Sequence, residues 1–164
     1  MKILTDEEEK EAVRWFREAA GVAVKSLCLR RKCGSVVVKN GKIIGAGFNS
    51  PPQNKTELRI CLDEYEIPAG FRHDRTCCVH AEQRAISEAV RGGEDMNGAR
   101  IYFADVDSDG NMLRANTPKC TICSRAALDV GIAEFYLYGD DGVRSYPTDE
   151  YNRLSYEHKT PRLN

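Results

Sequence analysis

The first stretch of the chain alternates apolar and charged positions with the period of an amphipathic helix. Thr5 and Glu8 have the spacing of a capping box at its start. The apolar positions that follow recur every three or four residues, and they are Ala12, Phe16, Ala19, Ala23 and Leu27. We therefore predict a long first helix that packs one face against a sheet.

Residues 33–50, which read CGSVVVKNGKIIGAGFNS, predict a β-hairpin. A β-branched run ends at Asn40 and Gly41, and a second apolar run follows them directly. An Asn-Gly pair suits the positive φ angles of a type I′ turn, which joins two antiparallel strands.

The rest of the chain alternates helical and strand patterns. Residues 49–77 have no lasting period, and so long a loop in a compact domain commonly carries function. After it we predict a helix over about 79–91, a strand over 99–106, a helix over about 120–130 and a strand over 132–138. A short final helix is predicted within 147–158, with only a remnant of a strand at 143–146.

This order of elements predicts an α/β fold. Strands that alternate with helices are joined by right-handed crossovers and pair in parallel, whereas the hairpin adds an antiparallel edge. We predict a three-layer α/β/α sandwich whose mixed sheet has an antiparallel N-terminal hairpin and parallel later strands. No repeat or linker divides the chain, so residues 1–164 are predicted to form one domain.

Composition and charge narrow the classes of function. The formal net charge of −1 argues against a protein that binds nucleic acid through its phosphates, although LRRK at 29–32 is a local basic run typical of a solvated loop. The first residues, MKILTDEEEKEA, are acidic and contain no apolar run of the kind found in a signal peptide. No apolar stretch in the chain approaches the roughly 20 residues of a membrane span. We therefore expect a soluble, cytoplasmic protein, in which seven cysteines indicate reduced thiols or metal binding.

Four residues in two motifs have the pattern of a catalytic metal site. His80 begins one predicted helix and Glu82 follows two residues later, while Cys120 and Cys123 form a C-x-x-C motif at the start of another. Thiolates three residues apart face the same way on a helix, and neighbouring helix starts meet at the carboxyl edge of a parallel sheet. One His and two Cys suit zinc with a position open for water, beside which Glu82 could move protons.

The motifs VHAEQRAI and TPKCTIC resemble those of the cytidine and deoxycytidylate deaminase superfamily, and the resemblance runs from about residue 5 to 138. It implies a cytidine deaminase-like fold, zinc held by His80, Cys120 and Cys123, and Glu82 as the general acid and base. It also implies that the backbone N–H of Ala81 faces the pyrimidine carbonyl. Members of the superfamily commonly form homo-oligomers, which the resemblance implies here as well.

Other positions indicate which branch of the superfamily the chain resembles. Asn49, in GFNSPP, looks like the asparagine with which members hold the sugar or base, and this segment is most similar to the deoxycytidylate branch. Two positions depart from the pattern. Lys119 separates Pro118 from Cys120, and Arg84 stands where the branch commonly has asparagine.

The activity predicted from the resemblance is zinc-dependent hydrolytic deamination of a pyrimidine nucleotide or nucleoside, with a dCMP-like substrate first. Three alternatives remain at this point. The chain could deaminate another base, such as adenine or guanine; it could edit tRNA or single-stranded DNA; or it could be a catalytically silent regulatory subunit.

Two further hypotheses concern the long loop. Some deoxycytidylate deaminases hold a second zinc in this region, so Cys61, His73, Cys77 and Cys78 are either ligands of a structural zinc or ordinary thiols and a loop histidine. The loop also carries cations that could receive a substrate phosphate, namely Lys55, Arg59, Arg72, His73 and Arg75.

Overall fold

The computed structural model describes residues 1–61 and 76–158. Its strands are β1 (Lys2–Ile3), β2 (Lys32–Lys39), β3 (Lys42–Phe48), β4 (Arg100–Val106), β5 (Met112–Leu113), β6 (Glu134–Gly139) and β7 (Gly142–Pro147). Its helices are α1 (Asp6–Ala23), α2 (Ala81–Arg91), α3 (Thr121–Asp129) and α4 (Thr148–Glu157). None of these helices is both long enough and apolar enough to cross a membrane.

All the strands belong to one mixed sheet in the order β1-β7-β6-β4-β2-β3, with β5 paired to the end of β4. The predicted hairpin is confirmed: β2 and β3 are antiparallel, and the φ angles of Asn40 and Gly41 are 51° and 70° at the turn. The predicted parallel pairing is confirmed for β4 and β6, which are connected through α3.

The sheet lies between two helical layers, as predicted for an α/β/α sandwich. Val36 and Val38 of β2 face α1 in one hydrophobic cluster, whereas Val37 between them faces α2 in the other. This alternation follows from the period of two residues in a strand. The α2 side of the sheet also receives α3 and α4, and it is the side on which the predicted site residues lie.

Two predictions near the ends of the chain are wrong. The capping box does not form, because Thr5 makes no side-chain cap and the Glu8 carboxylate instead accepts hydrogen bonds from Lys2 Nζ. The segment after Gly139 is a complete strand, β7, rather than a remnant. The four-residue span from Gly139 to Gly142 is too short for a crossover, so β7 returns antiparallel to β6.

Glycines in β3 set the position of α2, the helix that carries the HAE motif. A Cβ at Gly47 would lie 2.4 Å from the carbonyl oxygen of Ala81, and one at Gly45 would lie 2.2 Å from that of Ala85. Both distances are far shorter than the non-bonded contacts that Cβ atoms make in proteins. Glycine therefore lets the first turns of α2 lie directly on the strand.

Candidate active site

Two helix starts bring three metal-binding side chains together at the carboxyl edge of the sheet. His80 is the N-cap of α2 and Cys120 is the N-cap of α3, with Cys123 one turn further on. The Nδ1 atom of His80 lies 3.2 Å from Cys123 Sγ and 3.4 Å from Cys120 Sγ, and the two sulfurs are 3.3 Å apart.

The donor set fits zinc. The three atoms lie within 4.8 Å of one another, and the residues are half-buried or buried. Zinc bonds sulfur at about 2.3 Å and imidazole nitrogen at about 2.0 Å, so one ion can reach all three donors after small adjustments. Three protein ligands are the number found in catalytic zinc sites, in which the fourth position is open.

The electrostatics of the cluster favour a metal-binding thiolate. The hydrogen bond from Cys123 lowers the pKa of the Cys120 thiol to about 4, and His80 lowers it further against the opposing effect of burial. The backbone N–H of Cys123 also points at Cys120 Sγ, at 3.4 Å, as expected at the start of a helix. Cys120 is thus prepared to act as an anionic ligand.

Glu82 lies in the first turn of α2 and is buried, with 5% of its surface exposed. Burial raises the pKa of its carboxyl, and the neighbouring charge of Cys120 raises it further, while His80 acts in the opposite direction. A carboxyl whose pKa is raised above its ordinary value holds a proton more readily, which suits a general acid and base.

These groups share one cavity of about 180 Å³. His80, Glu82 and Cys120 form part of its wall, together with Ala81. A concave site lined by apolar side chains and a few convergent polar groups is typical of small-molecule binding, so this cavity is the candidate substrate site.

Asn49 also lines the cavity, but its side-chain amide is already hydrogen-bonded to residues 26–33, which lead into and begin β2. Its Oδ1 accepts from Ser26 Oγ at 2.7 Å and from the N–H of Cys33 at 2.8 Å, and its Nδ2 donates to the carbonyl of Arg31 at 2.8 Å. The role of Asn49 in holding substrate therefore stays a prediction. Its contacts in the structure are those of a residue that fixes the 26–33 segment.

Two cations of the basic run at 29–32, a pattern typical of a solvated loop, lie at the cavity instead. Arg30 and Arg31 line it, together with Arg59 and Lys119 from separate segments. Arg31 forms an ion pair with Asp105, whose side chain is 1% exposed at the end of β4. The sequence signal for this pair was an aspartate inside an otherwise apolar strand, because a buried carboxylate requires a cationic partner.

The structure describes only part of the predicted second zinc site, which comprises Cys61, His73, Cys77 and Cys78. The N–H of Cys77 donates to Cys61 Sγ at 2.8 Å, the sulfurs of Cys77 and Cys78 are 4.0 Å apart, and a hydrogen bond from Cys78 lowers the pKa of Cys28 to about 5. His73 lies outside the described residues, as do Arg72 and Arg75 of the predicted phosphate-binding loop. Within residues 1–61 and 76–158, the only three such donors within 4.8 Å of one another are His80, Cys120 and Cys123. The second zinc stays a prediction.

Sequence comparison with known proteins shows the family of the chain. Residues 9–138 match the family model described as the cytidine and deoxycytidylate deaminase zinc-binding region. The chain is 30% identical over 140 residues to a deoxycytidylate deaminase of Schizosaccharomyces pombe and 29% identical over 164 residues to that of Saccharomyces cerevisiae. The matches cover 80% and 92% of this chain but only 38% and 45% of the two yeast proteins.

Solved structures support the fold. A cytidine deaminase from Burkholderia pseudomallei superposes with a TM-score of 0.58 at 17% identity, covering 85% of this chain and 94% of that one. The dCMP deaminase of cyanophage S-TIM5 in its apo form superposes with a TM-score of 0.53 at 22% identity, covering 80% of this chain and 82% of that one.

Proposed function

Because the chain belongs to the cytidine and deoxycytidylate deaminase family, we propose that it is a zinc-dependent hydrolase that deaminates a pyrimidine nucleotide of the dCMP type. The chain spans less than half the length of its two yeast relatives, so the proposal rests on its own site. The observation that carries it is the cavity in which the buried Glu82 adjoins the cluster of His80, Cys120 and Cys123.

The residues divide the chemistry between them. His80, Cys120 and Cys123 would hold the zinc, which when bound supplies Lewis acidity that makes water a nucleophile near neutral pH. Glu82 takes a proton from the attacking water and delivers one to N3 of the base, which makes C4 electrophilic. It then passes a proton to the departing amino group. The water oxygen becomes the C4 carbonyl oxygen, and the amino group leaves as ammonia.

The start of α2 would orient the base as well as the metal. Ala81 is fully buried at the cavity wall between His80 and Glu82. The first N–H groups of a helix have no partner within the helix, so the N–H of Ala81 is suited to donate to the carbonyl oxygen of a pyrimidine. This contact would place C4 towards the metal ligands.

The charge of the cavity wall supports a phosphorylated substrate. Arg30, Arg59 and Lys119 carry positively charged groups at the lining, as does Arg31, which also pairs with Asp105. Each charge-assisted hydrogen bond to a phosphate contributes roughly 1.5–3 kcal/mol, about tenfold or more in binding. We therefore favour a nucleoside monophosphate over the free nucleoside.

A panel of substrates tests the proposal. Ammonia release is measured as kcat/KM for dCMP, deoxycytidine and a cytosine-containing single-stranded oligonucleotide, with AMP and GMP as controls for the base. We expect dCMP to exceed deoxycytidine by about tenfold or more, and both to exceed the oligonucleotide. Equal values for dCMP and deoxycytidine would remove the phosphate contact. A preference for a purine would contradict the base assignment, and no turnover of any member would favour a regulatory subunit.

A further inference from the structure

The segment between α1 and β2 carries a serine that contacts Asn49 at the cavity wall. Ser26 is buried, with 7% of its surface exposed, and its hydroxyl lies 2.7 Å from Asn49 Oδ1 and 2.6 Å from the Asn49 carbonyl oxygen. The same hydroxyl accepts a hydrogen bond from the N–H of Cys28 at 3.1 Å. Asn49 is also buried, and it lines the cavity. The motifs VHAEQRAI and TPKCTIC do not include Ser26.

The hydrogen bonds of the Asn49 side chain determine which atom it can offer to a ligand. An amide side chain has two acceptor positions on Oδ1 and two N–H donors on Nδ2. Ser26 and the N–H of Cys33 occupy the acceptor positions, and the carbonyl of Arg31 takes one donor. Within the described residues, the second Nδ2 N–H is the position that remains. Asn49 can therefore meet a ligand as a hydrogen-bond donor.

The same contacts fix the orientation of the amide. If it turned over, Nδ2 would face the N–H of Cys33 and Oδ1 would face the carbonyl of Arg31. Buried polar groups that lack partners are costly, so the turned orientation is disfavoured. Ser26 adds a restraint of another kind, because one hydroxyl bridges the backbone oxygen and the side-chain oxygen of Asn49. It holds the side chain at one angle to its own main chain.

The main chain around Asn49 is fixed relative to the start of α2. The N–H of Asn49 donates to the carbonyl of Cys33 at 3.0 Å. Ser50 and Val79 exchange hydrogen bonds in both directions, at 3.3 and 2.9 Å, and Val79 directly precedes His80. A donor that is held in place before the ligand arrives loses less conformational entropy when the ligand binds.

We propose that Ser26 is a positioning residue that holds the Asn49 side chain in one rotamer, so that its second Nδ2 N–H donates to an oxygen of the substrate. The proposal rests on the proposed function, because it requires that the cavity lined by Asn49 binds the nucleotide. It assigns Ser26 a role in the site although it acts only through Asn49.

The kinetic test compares Ser26→Ala with Ser35→Ala. Both changes remove the hydroxyl of a buried serine that bonds a backbone carbonyl, but Ser35 Oγ donates to Tyr102 at 2.8 Å, and Ser35 is not among the described residues that line the cavity. With dCMP we expect Ser26→Ala to raise KM by about threefold to tenfold while kcat stays within about twofold, because a binding contact is weakened. Ser35→Ala should keep both constants. A KM of Ser26→Ala within about twofold of wild type, or an equal rise in Ser35→Ala, would overturn the proposal.

A double variant tests whether Ser26 acts through Asn49. In Asn49→Ala protein, the added change Ser26→Ala should alter KM by less than about twofold, because the amide that the hydroxyl positions is already absent. A further rise as large as the one in the wild-type background would contradict the positioning role.

Hydrogen exchange of the Asn49 side-chain amide tests the contact without any substrate. It is followed by NMR in ¹⁵N-labelled protein, and the signals are identified by their loss in Asn49→Ala. We expect exchange at least about threefold faster in Ser26→Ala than in wild type, because the N–H bonded to Arg31 opens more often, and no change in Ser35→Ala. Equal rates in Ser26→Ala and wild type, or equal acceleration in both serine variants, would overturn the positioning role. This result stands whether or not dCMP is turned over, so a failure of the proposed function remains distinguishable from a failure of this inference.

Discussion

At the scale of single residues, the chemistry of the site follows from a few side chains with short spacings. His80 and Glu82 are two residues apart at a helix start, and Cys120 and Cys123 are three apart at another. These spacings could be recognised without a structure, because helix geometry fixes which side chains face the same way. The place of Tyr151 in the cavity lining could not be recognised in this way, because only the tertiary fold brings a residue of α4 to the cavity that α2 also lines.

Removal of single sulfurs tests the metal site at this scale. Purified wild-type protein should contain one zinc per chain by elemental analysis, and Cys120→Ala or Cys123→Ala should lose it, because two remaining ligands hold zinc weakly. Cys33→Ala is the matched control, because the Cys33 thiol lines the same cavity but does not belong to the cluster of His80, Cys120 and Cys123. This variant should keep its zinc.

The stoichiometry also separates the hypotheses about the thiols. Wild-type protein with less than one zinc per chain would contradict the metal site. A value near two per chain would support the second zinc predicted around Cys61, His73, Cys77 and Cys78.

At the scale of helices and strands, the residues of a tight turn predict structure most reliably from the sequence. Asn40 and Gly41 specify the β2–β3 hairpin because few other pairs accept two positive φ angles. Strand β7 was missed because Arg144 and the closing Pro147 make a poor strand pattern, while its stability comes from pairing with both β6 and β1. Propensity cannot report such tertiary pairing.

The sequence pattern of the basic run at 29–32 is misleading for a related reason. The ion pair of Arg31 with Asp105 joins segments far apart in sequence.

A substitution in β3 tests how closely the strand supports α2. Gly47→Ala places a methyl group 2.4 Å from the Ala81 carbonyl oxygen and 2.5 Å from the Ala85 nitrogen, so α2 must move. We expect a loss of about 1–3 kcal/mol in the free energy of unfolding, measured by denaturant titration, together with reduced turnover because His80 and Glu82 move with the helix.

The control for this change is Gly21→Ala in α1, where the new Cβ has nothing within 4 Å. It should stabilise the protein by about 0.5–1 kcal/mol, since alanine loses less entropy than glycine in a helix. Equal stability of the two variants would mean that α2 does not depend on close approach to β3.

At the scale of the whole molecule, the net charge of −1 conceals an uneven distribution. Acidic residues crowd the first turn of α1, whereas Arg30, Arg59 and Lys119 lie around the cavity. A cavity with positive charge on a nearly neutral protein suits a small anion better than a polyanion, which requires a broad basic surface. The extent of the domain over residues 1–164, the homo-oligomer and the cytoplasmic location stay predictions.

The most direct test of the account compares ammonia release from dCMP by the zinc-loaded wild-type protein and by zinc-loaded Glu82→Gln. The variant keeps the size of the side chain and all three metal-binding residues, so its zinc content should equal that of wild type. Because one carboxyl serves every proton transfer, we predict that wild type turns over and that the variant is slower by about 10²–10⁴-fold or more. No ammonia from the wild-type protein, or a variant rate close to the wild-type rate, would contradict the account.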